Sequence, residues 1–412
     1  MDTRTPVVVI AGFADGVRQL GSALFQPGTV LVRHDLTLLN EGAVTRTVTT
    51  VGMEQTSLLE LAHGCVSCTL RRDLLPLLRI LSDRSTVNRI VLLLDPMFEP
   101  LDVCAAIENV TVAGVSGRVD APAGHDVRVT AIVTAVGAPT WLADATGDDV
   151  LADRPGVPED DDRTLAQVTL AHAEHADALV LFGQPDPLDA AVLTAVLARL
   201  APGAPRHWAT GTAADTAFLA ELPDCSERPR GFDPHASLLR GSPPLDSDAD
   251  VCLVEFTADR PFHPERLHDA IDTLLDGVVT ARGRIWLATQ RDQVLWLESA
   301  GGGLRIGPAG LWLAAMTPEE RQAESPTRRA LADLHWHPQF GDRHSSLVVL
   351  SYRADPTDID RALQWALVTD DELRQPNSWH RWPDPFGEWH EDPCAATEST
   401  ALSPTREGEQ PS

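Results

Sequence analysis

The chain has 412 residues, 43% of them hydrophobic, enough for two or three domains each with its own core. Acidic residues outnumber basic ones 60 to 33, and the formal net charge of −27 argues against a broad phosphate-binding surface, so direct nucleic-acid binding is not expected even though a local basic patch could exist. No apolar run reaches the ~20 residues that span a bilayer, and 6 scattered cysteines do not make a secreted disulfide framework, so a cytoplasmic setting without membrane contact is expected.

Near the N-terminus, VVVIAGF (7–13) reads as a first strand buried on both faces. GFADGVRQLGSAL (12–24) then forms a glycine-bearing turn into a helix, where nucleotide-binding folds seat a phosphate on backbone N–H groups. Its candidate nucleotide contacts are Gly12, Gly16, Arg18 and Gln19. Aligned from Gly12 on G-x-x-x-x-G-K-[ST], the chain has Val17 at the second glycine, Arg18 at the lysine and Gln19 at the hydroxyl position. Valine crowds the backbone approach and glutamine is a poorer Mg²⁺ ligand than a hydroxyl. Arg18 keeps a charge but not the compact ammonium geometry. An ordinary strand-to-helix turn is the competing reading.

TVLVRHDL (29–36) is the second strand, and a long loop is expected from about Gly52 to Ala62. It leads to HGCVSCTLRRDLLPLL (63–78), in which Cys65 and Cys68 precede a helical pattern from Leu70 to Leu81. Two thiolates at this spacing can share one Zn²⁺, at about 2.3 Å each. Further ligands must come from His63, the nearby acids, His34 or Asp35, a partner, or water. Two other readings stand beside the metal. One is a thioredoxin-type redox pair, although that motif follows a first strand rather than a long loop. The other is a pair of small apolar residues at a helix start capped by Ser67 or Thr69.

RIVLLLDP (89–96) is the third strand and places Asp95, with Glu99 beyond it, where a carboxylate holds Mg²⁺ or its water. A turn set by Asp-Pro is the alternative. VTAIVTAV (129–136), a helix from Thr164 to Ala176 and ALVLFG (178–183) follow. In FGQPD (182–186), at the place where guanine-reading NTPases carry Asn-Lys-x-Asp, only Asp186 remains. Strands alternating with amphipathic stretches predict an α/β domain with a mainly parallel sheet over 1–205.

Residues 206–250 are rich in Pro, Gly, Ser and Asp and read as a linker. A smaller α+β domain is expected over 251–392, and a disordered tail over 393–412. The second domain concentrates His335, His337, His344, His380 and His390 among Trp336, Trp379, Trp382 and Trp389. Such a cluster can bind metal weakly, though packed surface loops are the commoner outcome.

Taken together, VVVIAGF-turn-helix, ELAHGCVSCTLRRDLLPLL, the strand leading to Glu-Pro and RTLAQVTLAHAEHADALVLFG resemble the CobW-like family of P-loop GTPases. RPFHPERLHDAI, GRIWLAT, AGG, GDR and DPF resemble the C-terminal domain of that family. The resemblance covers nearly the whole chain except linker and tail, and its most specific part is E-L-x-x-G-C-x-x-C-T-L-R-x-D-L at 60–74, supported by Gly341, Asp342 and Arg343. It implies a cytoplasmic metallochaperone or metal-homeostasis protein, typically for zinc or cobalt, that acts with GTP. The family's C-x-C-C metal motif is matched at its outer positions by Cys65 and Cys68, while Ser67 replaces the middle cysteine. Because the lysine, the hydroxyl and the Asn-Lys pair are missing, the resemblance implies a pseudo-GTPase that binds zinc for an unknown client protein. The alternatives are an active GTPase whose hydrolysis drives metal insertion, and a zinc-starvation scaffold that contacts a ribosome-associated factor.

Overall fold

The computed structural model describes residues 2–13, 15–60, 69–154, 157–159, 161–228, 230–231, 233–239 and 241–387. The first sheet has eight strands: β1 (Thr5–Ala11), β2 (Thr29–Asp35), β3 (Ala43–Thr50), β4 (Met53–Glu60), β5 (Arg89–Leu93), β6 (Val127–Gly137), β7 (Ala178–Phe182) and β8 (Arg206–Trp208). Their order is β8-β7-β6-β1-β5-β2-β3-β4. The pairings from β8 through β2 are parallel, and β3 and β4 extend the sheet as an antiparallel hairpin.

β1 shows why the parallel strands lack alternation. Val7, Val9 and Ala11 pack into one core with Leu75, Leu78, Val103 and Ile107. Val8 and Ile10 pack into another with Val17, Leu20 and Leu24. Both faces of the sheet are covered by helices, so both sets of side chains must be apolar. The helices carry their own start signals. Thr164 and Gln167 form a reciprocal capping box before Leu165–Glu174, and Pro187 follows the capping Asp186 in Pro187–Leu200.

The five expected strands are present in the expected order, and the structure corrects two expectations. The loop placed at about 52–62 is instead β4 as far as Glu60, paired along its length with β3. Its sequence, MEQTSLLE, shows little apolar alternation because most of its side chains are exposed. The stretch 206–220, assigned to the linker, belongs to the first domain: β8 pairs with β7, and Leu219 of the helix Ala213–Ala220 is buried beside Val17 and Leu20. The expected 393–412 tail lies outside the described residues.

The second sheet contains β9 (Val251–Ala258), β10 (Val278–Ile285), β11 (Gln293–Ala300), β12 (Gly303–Leu311) and β13 (Ser345–Tyr352) in the order β9-β13-β10-β11-β12, all antiparallel. Leu267, Ile359 and Leu363 from the helices Pro264–Ala270 and Pro356–Ala366 pack against one side of it. On the other side Val251, Val279, Ala300 and Leu350 share a core with Leu170, Leu193 and Val196 of the first domain. Arg282 of β10 pairs with Glu174 across the same contact. A continuous apolar interface of this kind holds the domains together more firmly than a polar one.

The Gly-Asp-Arg triplet organises this second domain. A Cβ on Gly341 would lie 2.2 Å from that of Ala314. Asp342 is buried and accepts the N–H groups of Leu313 and Ala314, both at 2.9 Å. Arg343 donates to the carbonyls of Arg291 and Phe340 and pairs with Asp292 at 2.8 Å. The triplet is a clamp on three loops.

Candidate metal and nucleotide site

Cys65, Cys68 and His63 lie outside the described residues, whose boundaries on either side are Glu60 and Thr69. After Thr69, Leu70–Leu74 wind as a wider π turn before the regular helix Leu75–Ser82, so the expected helix is present with an irregular first turn. That turn supplies Asp73. The ring of His34, on β2, donates from Nε2 to Asp73 Oδ2 at 2.6 Å, and Arg46 of β3 donates to Oδ1 at 2.5 Å. His34 is only 4% exposed, so this carboxylate fixes its ring. With Nε2 engaged, Nδ1 is the ring atom that could hold a metal. Asp35 accepts the N–H and the hydroxyl of Thr37, at 3.1 and 2.6 Å.

The residues expected at a nucleotide are brought to one end of the sheet, and all but the exposed Gln19 are engaged in other contacts. Gly12 has φ +129° and a Cβ there would lie 2.3 Å from the Ala135 carbonyl oxygen of β6. At Gly16 a Cβ would lie 2.5 Å from the Phe182 ring. Both glycines are therefore required by packing alone. Val17 points into the core, while Arg18 and Gln19 are exposed on the helix Gly16–Leu24. Arg18 pairs with Asp15 of the same turn at 2.5 Å.

Asp95 lies just beyond β5, beside the end of β1. Its Oδ2 accepts from the Leu36 N–H at 2.9 Å and its Oδ1 from the Met97 N–H at 3.1 Å. Burial, reinforced by the nearby Asp35 charge, raises its pKa despite these two bonds. Glu99 pairs with Arg163 at 2.8 Å. Asp186 Oδ1 accepts from the Leu188 and Asp189 N–H groups as the cap of its own helix, and these bonds lower its pKa.

Three histidines of the second-domain cluster take part in aromatic packing, while His380 is exposed. His335 stacks on His344 at 4.9 Å, and His344 also faces Trp312 and donates to the Asp342 carbonyl. His337 stacks on Phe340. His390 and Trp389 lie outside the described residues. Among the described residues no three His, Cys, Asp or Glu side chains converge as a metal-binding group. No helix among them is long and apolar enough to cross a membrane.

Two residues escaped the sequence reading. Asp73 was visible only as the Asp of the 60–74 motif, and its partners come from strands 27 and 39 positions away. His172 left no local signal. It is buried beneath the nucleotide-like turn, in ring contact with Phe13 at 5.3 Å, and donates to the Phe98 carbonyl at 3.0 Å.

This architecture is that of a P-loop-NTPase-like α/β domain, with an altered phosphate-loop signature, joined to a smaller α+β domain. The chain belongs to the CobW-like family. Residues 251–367 match the family model described as the cobalamin synthesis protein cobW C-terminal domain. Over 396 residues the chain is 49% identical to a Mycobacterium tuberculosis protein named zinc chaperone Rv0106, covering 95% of each. It is 25% identical over 371 residues to zinc-regulated GTPase metalloprotein activator 1 of Dictyostelium discoideum, covering 87% of this chain and 76% of that one. Among solved structures, Zn(II)-bound YjiA GTPase from E. coli overlaps 89% of this chain and 100% of its own, with a TM-score of 0.35 and 13% identity.

Proposed function

We propose that this chain is a zinc-binding metallochaperone or zinc-responsive factor that carries its cargo on Cys65 and Cys68, with His63 as a further ligand, and that it hydrolyses GTP weakly or not at all. The observation that carries the reading is the 49% identity over 95% of both chains to a protein named a zinc chaperone. The C-x-x-C pair supports zinc by its donor chemistry, since thiolates at this spacing suit a tetrahedral ion. Two sulfurs and one imidazole leave a position for a client's ligand. Transfer then proceeds as client thiolates replace Cys65 and Cys68 one at a time, with each displaced sulfur taking up a proton.

The nucleotide side of the reading rests on fit. Mg·GTP would need a lysine-type cation, a hydroxyl ligand and a free carboxylate. The chain instead offers Arg18 paired with Asp15, exposed Gln19, and Asp95 with both oxygens engaged by backbone N–H groups. These residues do not fit Mg·GTP.

Metal content and nucleotide titration on one purified sample test both halves. The expected result is about one Zn²⁺ per chain, lost in the Cys65→Ser/Cys68→Ser variant, and no thermal shift or phosphate release with Mg·GTP. Equal zinc content in the variant and the wild type would overturn the metal assignment. A GTP-dependent rise in melting temperature would overturn the nucleotide half alone.

A further inference from the structure

β4 ends the eight-stranded sheet, and among the described residues no strand pairs with its outer edge. It runs eight residues and pairs with β3 without a bulge from Thr50↔Met53 to Ala43↔Glu60. Alternate residues therefore turn their N–H and C=O groups away from β3. Proteins ordinarily blunt such an edge with charged side chains, proline, a bulge or a short strand, and of these MEQTSLLE has only two glutamates, Glu54 and Glu60. Its apolar side chains are also open to solvent: Met53 is 54% exposed and Leu58 62%.

Charge decides what such an edge can accept. Glu54 and Glu60 are the only ionisable residues of β4, and they lie on the same face as Thr56 and Leu58. If two copies paired their β4 edges antiparallel about Ser57, each Glu54 would face a Glu60 of the other copy. Like charges directly opposed are unfavourable, and each chain carries a net charge of −27 besides. A strand with Lys or Arg six residues apart meets both carboxylates.

We propose that the outer edge of β4 is a docking site for an extended basic segment of a client protein, added as a ninth, antiparallel strand. Backbone hydrogen bonds supply the attachment, and Glu54, Leu58 and Glu60 select basic, apolar and basic residues at alternate-face positions. That the client is the zinc recipient rests on the metal-delivery reading, because β4 runs directly into the segment bearing His63, Cys65 and Cys68. The edge and its charge preference do not rest on it.

The test uses the full chain and a fluorescein-labelled nonapeptide, Thr-Lys-Thr-Val-Thr-Thr-Thr-Lys-Thr, with a second peptide carrying Glu in place of both Lys. Fluorescence anisotropy is expected to show binding of the lysine peptide only, and hydrogen exchange is expected to slow within 53–60. Glu54→Lys/Glu60→Lys should weaken binding about tenfold or more while leaving the melting temperature unchanged. Cys65→Ser/Cys68→Ser should bind the peptide as the wild type does, so a failed zinc measurement and a failed docking measurement remain distinct. No binding of the lysine peptide, equal binding of both peptides, or no effect of the charge reversal would overturn the proposal. So would a concentration-dependent dimer that protects the same amides, which would assign the edge to a second copy of the chain.

Discussion

Asp73 holds His34 through a 2.6 Å hydrogen bond, joining the turn that follows the Cys-x-x-Cys segment to the second strand of the sheet. Arg46 completes the arrangement from the third strand. A carboxylate placed in this way fixes the orientation of the ring and leaves its other nitrogen as the only one able to bind a metal.

If His34 serves the metal, Asp73→Asn should weaken zinc binding about 10- to 100-fold by loosening that ring. Competition against a chromophoric chelator measures it. Unchanged affinity in a folded variant would place His34 outside the metal's ligand set.

The two glycines of the nucleotide-like turn should prove indispensable without any nucleotide. Gly16→Ala drives a methyl against the Phe182 ring and is expected to cost about 1–3 kcal/mol by overpacking. Gly12→Ala should cost more, because its obstacle is the Ala135 carbonyl of a central strand and its φ of +129° is itself unfavourable for alanine. Urea denaturation, with and without Mg·GTP, reads both effects.

Arg79 is 1% exposed and pairs with Asp126 at 2.7 Å while donating to the carbonyls of Val112, Val119 and Ala121. Arg79→Met leaves those acceptors and the carboxylate without their buried partner, and about 3–5 kcal/mol of stability should be lost. Chemical denaturation checks it, and a loss below about 1 kcal/mol would show that water replaces the guanidinium.

The acid limb of stability should have two separable parts. Burial lowers the pKa of His172 to about 4. The unfolded chain then takes up this proton first, so the His172 contribution is present above about pH 6.5 and is lost as pH falls towards 4. Glu372 works lower. Burial opposes its ionisation, but the Arg266 guanidinium and the Thr369 N–H hold its pKa at about 2. Its contribution is present above about pH 4.5 and fades as pH falls through 2, amounting to about 1 kcal/mol after solvent screening. His172→Asn should reduce the slope of stability against pH between 6.5 and 4, with the part due to the similarly depressed His235 remaining, and Glu372→Gln should reduce it only below 4.5. Melting temperatures across pH 2–8 separate the two.

Much of the fold was legible because parallel strands covered on both faces are written as continuous runs such as VVVI and IVLLL. β4 was not, since an edge strand with little buried surface needs no apolar pattern. β8 was hidden for a related reason. Three residues, RHW, pair with β7 at the sheet margin, too short a stretch for periodicity to register.

The candidate site divides in the same way. Cys65 and Cys68 are three residues apart, so their nearness along the chain is a local property written in the sequence itself. The substitutions at Val17, Arg18 and Gln19 are local as well. Only the tertiary structure decided that Gly12 and Gly16 are held by Ala135 and Phe182, that Asp95 is engaged by Leu36 and Met97, and that Asp73 reaches His34 and Arg46. Most of those contacts join residues far apart in the chain, and neither the spacing nor the type of a residue records which distant atom will fill the space beside it.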